Sequence, residues 1–282
     1  VTSIIDNFFE AQQAAGLAPH DGPLSLADGV LTRYRVAGDK PGSRNGWAIL
    51  YSRPTPAGAF GSWKTGESIT WRLRPATGET RAQRAQRRRQ LEEARARYLA
   101  ERERVQVEAR ERAARLWALA APATDDHPYL QRKGVHAYGL RRLRDALLIP
   151  ARDADGRLHT LQFVAPDGSK RFLTGARIAG CYYAIGRPGA RVYVAEGYAT
   201  AATVHAVMQA PVAVAFNAGN LRPVAVALSR KLPPRTEIVI AGDNDAHTPG
   251  NPGRAAAYAA ARAVGGLVAV PDLAGLTGGA AA

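Results

Sequence analysis

Val192-Tyr193-Val194-Ala195-Glu196-Gly197 and Ile238-Val239-Ile240-Ala241-Gly242-Asp243-Asn244-Asp245 decide how this chain is read. Each is an apolar run of strand length that ends in acid. Around them strands alternate with helices: residues 191–195, 212–216, 237–241 and 267–270 read as strands, and 199–208, 221–231 and 253–264 as helices. Nearly all-apolar strands in such alternation predict an α/β segment, a parallel sheet flanked by helices on both faces. Open parallel sheets bind their ligands at the carboxyl ends of the strands. Glu196, Asp243 and Asp245 are therefore expected along one edge.

Two carboxylates two residues apart share a face in extended chain. Carboxylates held close repel one another unless a cation sits among them. Magnesium, a hard ion that prefers oxygen and bridges carboxylate to phosphate, suits the set; manganese is the substitute. The plainer reading makes Glu196 an acid at a helix start and Asp243 and Asp245 the caps of a loop. An Asp-x-Asp pair alone is common, but strand-Glu-Gly followed by strand-Gly-Asp-x-Asp in one alternating run is far more specific.

The remaining composition narrows the partners. In 282 residues, 38 Lys and Arg stand against 24 Asp and Glu, a net charge of +14, which favours a polyanion such as nucleic acid. A genome that prefers arginine and alanine explains part of that excess. The single cysteine, Cys181, excludes an internal disulfide and a cysteine zinc site, and suits a reducing cytoplasm. Residues 1–16 carry Asp6 and Glu10 and no basic start, so they do not read as a signal peptide. No apolar run is long enough to cross a bilayer, so no membrane partner is expected.

Four segments follow from composition. Residues 1–75 predict a small α+β module: a helix over 4–15 capped by Ser3, then strands over 31–36, 47–51, 59–63 and 69–73. Residues 76–120 are a long Arg-rich helix or linker; 81–115 holds twelve Arg and six Glu and no Gly or Pro. Its start, Arg81, Arg84, Arg87, Arg88 and Arg89, is either a solvated spacer or a basic arm for nucleic acid. Trp63 and Lys64 belong to a basic–aromatic mix suited to stacking single-stranded bases, although core packing is the other reading, favoured for Trp47 and Trp71. Residues 121–186 form a mixed α+β subdomain, with a helix-turn at 128–139 and strands over 147–150, 158–164, 171–173 and 181–184. Residues 187–282 are the alternating segment already described.

The two acid-ended runs resemble the signature motifs of the Toprim fold, shared by bacterial-type primases, topoisomerases and some nucleases. That resemblance implies acid–base or metal chemistry for Glu196 and metal binding for Asp243 and Asp245. Tyr129-Leu130-Gln131-Arg132-Lys133-Gly134-Val135 resembles an element of primase cores, and the segments from Leu147 to Gly186 follow the order seen before the Toprim part of bacterial primases. The chain thus looks like a Toprim DNA primase of the kind found on phages, plasmids and integrative elements. Residues 28–75 are similar to an N-terminal module of such proteins.

The resemblance implies nucleotide or template binding for Lys170, Arg171, Gly197, Asn220, Arg132 and Lys133, although Lys170 and Arg171 also read as a solvated turn flank. It implies nucleoside triphosphates and single-stranded DNA as substrates, magnesium or manganese as cofactor, and a replicative helicase as partner. The chain departs from bacterial primases in lacking a cysteine zinc ribbon. After Asp245 its only acid is Asp272, where such primases carry more. A weakly catalytic nucleic-acid-loading protein of a mobile element and a Toprim nuclease are the alternatives.

Overall fold

The computed structural model describes residues 3–53, 56–73, 81–243 and 252–270, with Gln83, Arg87 and Pro252 described by backbone alone. The chain divides into two units, residues 1–104 and 105–282, and the division falls inside one long helix.

In the first unit, Ser3 caps α1 (Ile4–Ala14) as expected. Its hydroxyl accepts from the Asp6 N–H at 3.1 Å, and the Asp6 carboxylate accepts from the Ser3 N–H at 3.0 Å. This reciprocal pair satisfies two otherwise unpaired donors. Four antiparallel strands follow in sequence order: β1 (Thr32–Tyr34), β2 (Gly46–Tyr51), β3 (Ala57–Ser62) and β4 (Ser68–Arg72).

Alternation along the strands splits the core in two. Ala48, Leu50 and Phe60 pack toward α1, where Phe8 meets the Phe60 ring edge-on at 5.4 Å and Trp71 at 5.1 Å. Trp47, Ile49, Tyr51 and Ala59 face the other way, against Ala94 and Tyr98 of α2 (Arg81–Leu119). Trp47 stacks on Tyr98 at 4.3 Å and is 2% exposed, so it is core rather than a stacking platform.

In the second unit, β5 (Ala121–Pro122), β6 (Arg141–Leu143), β7 (Ala146–Arg152), β8 (Leu158–Val164) and β9 (Lys170–Phe172) form an antiparallel sheet in that order. The sequence reading misses β5 and β6. The β6–β7 turn is Arg144-Asp145, with Arg144 at φ +55°, and it carries no glycine or asparagine to announce it. The short α3 (Pro128–Lys133) starts at His127, whose Nδ1 accepts from the Tyr129 N–H at 3.2 Å, and stops at left-handed Gly134.

The last sheet runs β10-β12-β11-β13-β14. It contains β10 (Tyr183–Ile185), β11 (Arg191–Ala195), β12 (Val212–Val214), β13 (Glu237–Ala241) and β14 (Leu267–Ala269), with helices α4 (Tyr198–Met208), α5 (Ala218–Lys231) and α6 (Pro252–Val264) between them. Four of these strands are parallel, as predicted. β10 is antiparallel to β12, so residues 183–185, grouped by the sequence with the preceding segment, hydrogen-bond into this sheet.

Both faces are covered. Tyr193, Ala195, Val239 and Ala241 pack with α4, whereas Val192, Val194, Ile238 and Ile240 pack with α5 and α6. The α6 contact is close enough to select glycine at 242, where a Cβ would lie 2.7 Å from the Ala257 Cβ. Among the described residues no helix is long and apolar enough to cross a membrane.

Candidate catalytic edge of the parallel sheet

Strands β11 and β13 are direct neighbours, with Ala195 in register with Ala241. Glu196 follows Ala195 at once, and Asp243 follows Ala241 after Gly242. Two acids therefore leave adjoining strand tips at the carboxyl edge of the sheet, both half-buried. Asp245 lies outside the described residues, as do His247 and Asp272. Among the described residues no group of three His, Cys, Asp or Glu side chains is placed to hold a metal.

A lysine joins the two acids. Lys170 opens β9, and the charges of both Glu196 and Asp243 act on its ammonium. The side chain as a whole is exposed, but its head lies 5.9 Å from the centre of the Tyr129 ring. Desolvation of that head, followed by repulsion from Lys133, holds its pKa below the ordinary lysine value; Glu196 and Asp243 pull the other way. Gly197 leaves the approach open, since a Cβ there would meet only the Lys170 Nζ, at 3.9 Å. From the first turn of α4, the Thr200 hydroxyl reaches Asp243 Oδ1 at 3.4 Å.

The structure thus gathers Glu196, Gly197, Lys170, Lys133 and Asp243. Three other expected residues do different work. Arg171 is the next residue along β9 and points to the opposite face, its guanidinium 4.5 Å from the centre of the Phe163 ring. Arg132 donates to the Pro166 carbonyl at 3.0 Å and so braces the β8–β9 turn. Asn220, expected at nucleotide or template, is 3% exposed and is committed to backbone. Its Nδ2 donates to the Cys181 carbonyl at 2.9 Å and the Ala215 carbonyl at 2.8 Å, and its Oδ1 accepts from the Gly180 N–H at 2.8 Å. Thr200 was not singled out by sequence, and Tyr129 entered only as the first residue of a quoted motif. A tyrosine before a basic pair and a threonine in a helix carry no local mark of what they will face.

Phe216, just past β12, adopts φ +73° and sets its ring edge-on to Phe172 at 5.5 Å. A bulky residue in the left-handed region is strained, and such strain concentrates at functional edges. Here it turns the chain sharply into α5, capped by the Asn217 side chain, which accepts from the Asn220 N–H at 3.0 Å.

Comparison with known proteins fits this edge. Residues 191–272 match the family described as Toprim domain. That segment is similar to a Toprim domain. It contains β11, β13 and both described acids. Over 94% of its length the chain is similar to two Escherichia coli proteins named DNA primase TraC, at 35% and 36% identity. It spans only 19% and 26% of those relatives. Among solved structures, the primase fragment of the bacteriophage T7 primase-helicase protein aligns at 17% identity and a TM-score of 0.36, covering 51% of this chain and 60% of that one.

In the first unit, the expected nucleic-acid contacts are distributed as follows. Arg81, Arg84 and Arg89 are exposed on α2, and Arg88 pairs with Glu92 at 2.9 Å. The Arg87 side chain is outside the described residues. Trp63 carries the Arg33 guanidinium 4.4 Å above its ring, and Lys64 donates to Asp39 at 2.8 Å. Both side chains are therefore already engaged within the module.

Proposed function

We propose that this chain is the nucleotidyl-transfer core of a DNA primase. It makes short primers on single-stranded DNA from nucleoside triphosphates. One observation carries the reading: Glu196 and Asp243 leave adjoining strand tips at the carboxyl edge of the parallel sheet, near enough to Lys170 for both charges to act on it. The likeness to proteins named DNA primase supports it.

The donor set fits a divalent cation, magnesium or manganese. Glu196 and Asp243 offer hard oxygen donors from adjoining strand tips, and a positive charge is already drawn to both. Asp245 is the third ligand in this proposal. When bound, such a cation neutralises triphosphate charge and activates the attacking hydroxyl.

The chain's own residues do the rest. Lys170 holds a phosphate oxygen, with Lys133 adding a second positive charge. Thr200 fixes the orientation of the Asp243 carboxylate, and Gly197 keeps the approach clear. The primer's 3′ oxygen bonds to the α-phosphorus of the incoming nucleotide, and pyrophosphate leaves. A replicative helicase is the partner, and the setting is the cytoplasm.

The test is primer synthesis on single-stranded DNA with labelled nucleoside triphosphates and magnesium or manganese. Template-dependent oligonucleotides are expected, and they should vanish in Asp243→Ala, Asp245→Ala and Glu196→Gln. DNA binding with no product, or shortened DNA, overturns the proposal in favour of a loading protein or a nuclease respectively.

A further inference from the structure

The sheet face that meets α2 steps down from large side chains to small ones. Register sets Trp47, Gly61 and Ser68 in one row, and Ile49, Ala59 and Thr70 in the next. Ala94 and Tyr98 of α2 cover the large end of those rows. At the small end Ser68 and Thr70 remain exposed on edge strand β4. What is left is an open groove of about 800 Å³ between α2 and β4.

The α2 wall of that groove is a single stripe at helical spacing: Arg84, Arg88, Leu91, Arg95, Tyr98 and Arg102. Arg84 to Arg102 covers about 27 Å of helix. Glu92, the one acid on the lining, is taken by Arg88. Among the described residues Arg84, Arg95 and Arg102 form no ion pair, and all three are exposed. Apolar surface runs beneath the guanidinium groups, with Leu91 half-buried and Leu99 48% exposed.

A row of arginines above an apolar floor matches one occupant in charge and shape. A single strand offers phosphates to the arginines and base faces to the floor. We infer that this groove binds single-stranded nucleic acid, independently of metal or triphosphate. It differs from the contact expected from sequence. It takes Arg84 and Arg88 from the basic run, adds Arg95 and Arg102, and leaves Arg89 off the stripe.

The experiment is fluorescence anisotropy of labelled oligothymidylate with the full chain, without metal or nucleotide, across a salt series. Arg95→Ala with Arg102→Ala should weaken binding about tenfold or more and flatten the log–log salt slope by about 1.4, the effect of two lost phosphate contacts. Leu99→Asp, which keeps every arginine, should also weaken binding. Arg89→Ala should stay within about twofold of the wild type. The inference is overturned if the Arg95/Arg102 pair binds like wild type, or if Arg89→Ala loses as much. It is also overturned if polyglutamate displaces the strand as well as unlabelled oligothymidylate does, because the groove then docks acidic peptide. Primer synthesis plays no part in this readout, so its failure leaves the result intact.

Discussion

The Thr200 hydroxyl lies 3.4 Å from Asp243 Oδ1, tying the first turn of α4 to the tip of β13. A partner of this kind holds a metal-binding carboxylate in one orientation. Thr200→Val keeps the volume and removes the donor. The divalent-ion concentration for half-maximal primer synthesis should rise about tenfold, within the range such outer partners command. Thr200→Ser should restore most of the loss. A Val variant with an unchanged metal titration removes Thr200 from the site.

The charges of both described acids act on Lys170. Lys170→Met removes the charge and keeps much of the stem. The KM for nucleoside triphosphate should rise about tenfold or more, the loss of one charge-assisted hydrogen bond. Lys170→Arg should recover only part of it, because a planar fork does not reproduce a compact ammonium. Arg171→Met is the internal control: its side chain stacks on Phe163, so it should leave KM within about twofold of wild type. Steady-state kinetics on one template decides between them.

The contrast between Lys170 and Arg171 shows where sequence reading stops. Adjacent residues on a strand face opposite ways, but which way is set by pairing of β9 with β8, a non-local fact. The acid-ended strands were legible because the whole signal is local: an apolar run, then a carboxylate. The strand over 181–184 was legible too, but its place in the last sheet was not, because its partner Val212–Val214 is reached only through the fold. Trp47 and Trp63 look alike in sequence and both meet Tyr98 of α2, yet Trp47 is buried there while Trp63 also carries the Arg33 guanidinium on its ring.

Asn220 looks like a ligand-binding residue in sequence and works as a clamp in the fold. Its carboxamide joins the Gly180–Cys181 segment to the end of β12. Asn220→Ala leaves buried donors and acceptors unpaired and should cost about 3 kcal/mol. Asn220→Asp should cost at least as much, since a carboxylate donates to neither carbonyl and is buried as a charge. Urea denaturation measures both. A cost under about 0.5 kcal/mol for the Ala variant, the level of an ordinary surface change, shows that the clamp does not matter.

Asp39 links the first unit to pH. Its carboxylate is 7% exposed and accepts from the Lys64 ammonium at 2.8 Å and from Asn45 Nδ2 at 3.1 Å. The Lys64 hydrogen bond, helped by Asn45 and opposed by burial, holds its pKa below the usual carboxylate value. A group depressed on folding contributes stability above its unfolded pKa of about 3.9, and that contribution fades as pH falls through the lower folded value. Asp39→Asn should therefore cost about 2 kcal/mol at neutral pH, and the gap to wild type should narrow below about pH 4. Lys64→Met should cost less, about 1 kcal/mol, because the ammonium it removes is itself 62% exposed and well screened. Denaturation followed by tryptophan fluorescence at neutral pH and at about pH 3 separates the cases. An Asp39→Asn penalty of equal size at both pH values shows that packing, not charge, is what the carboxylate provides.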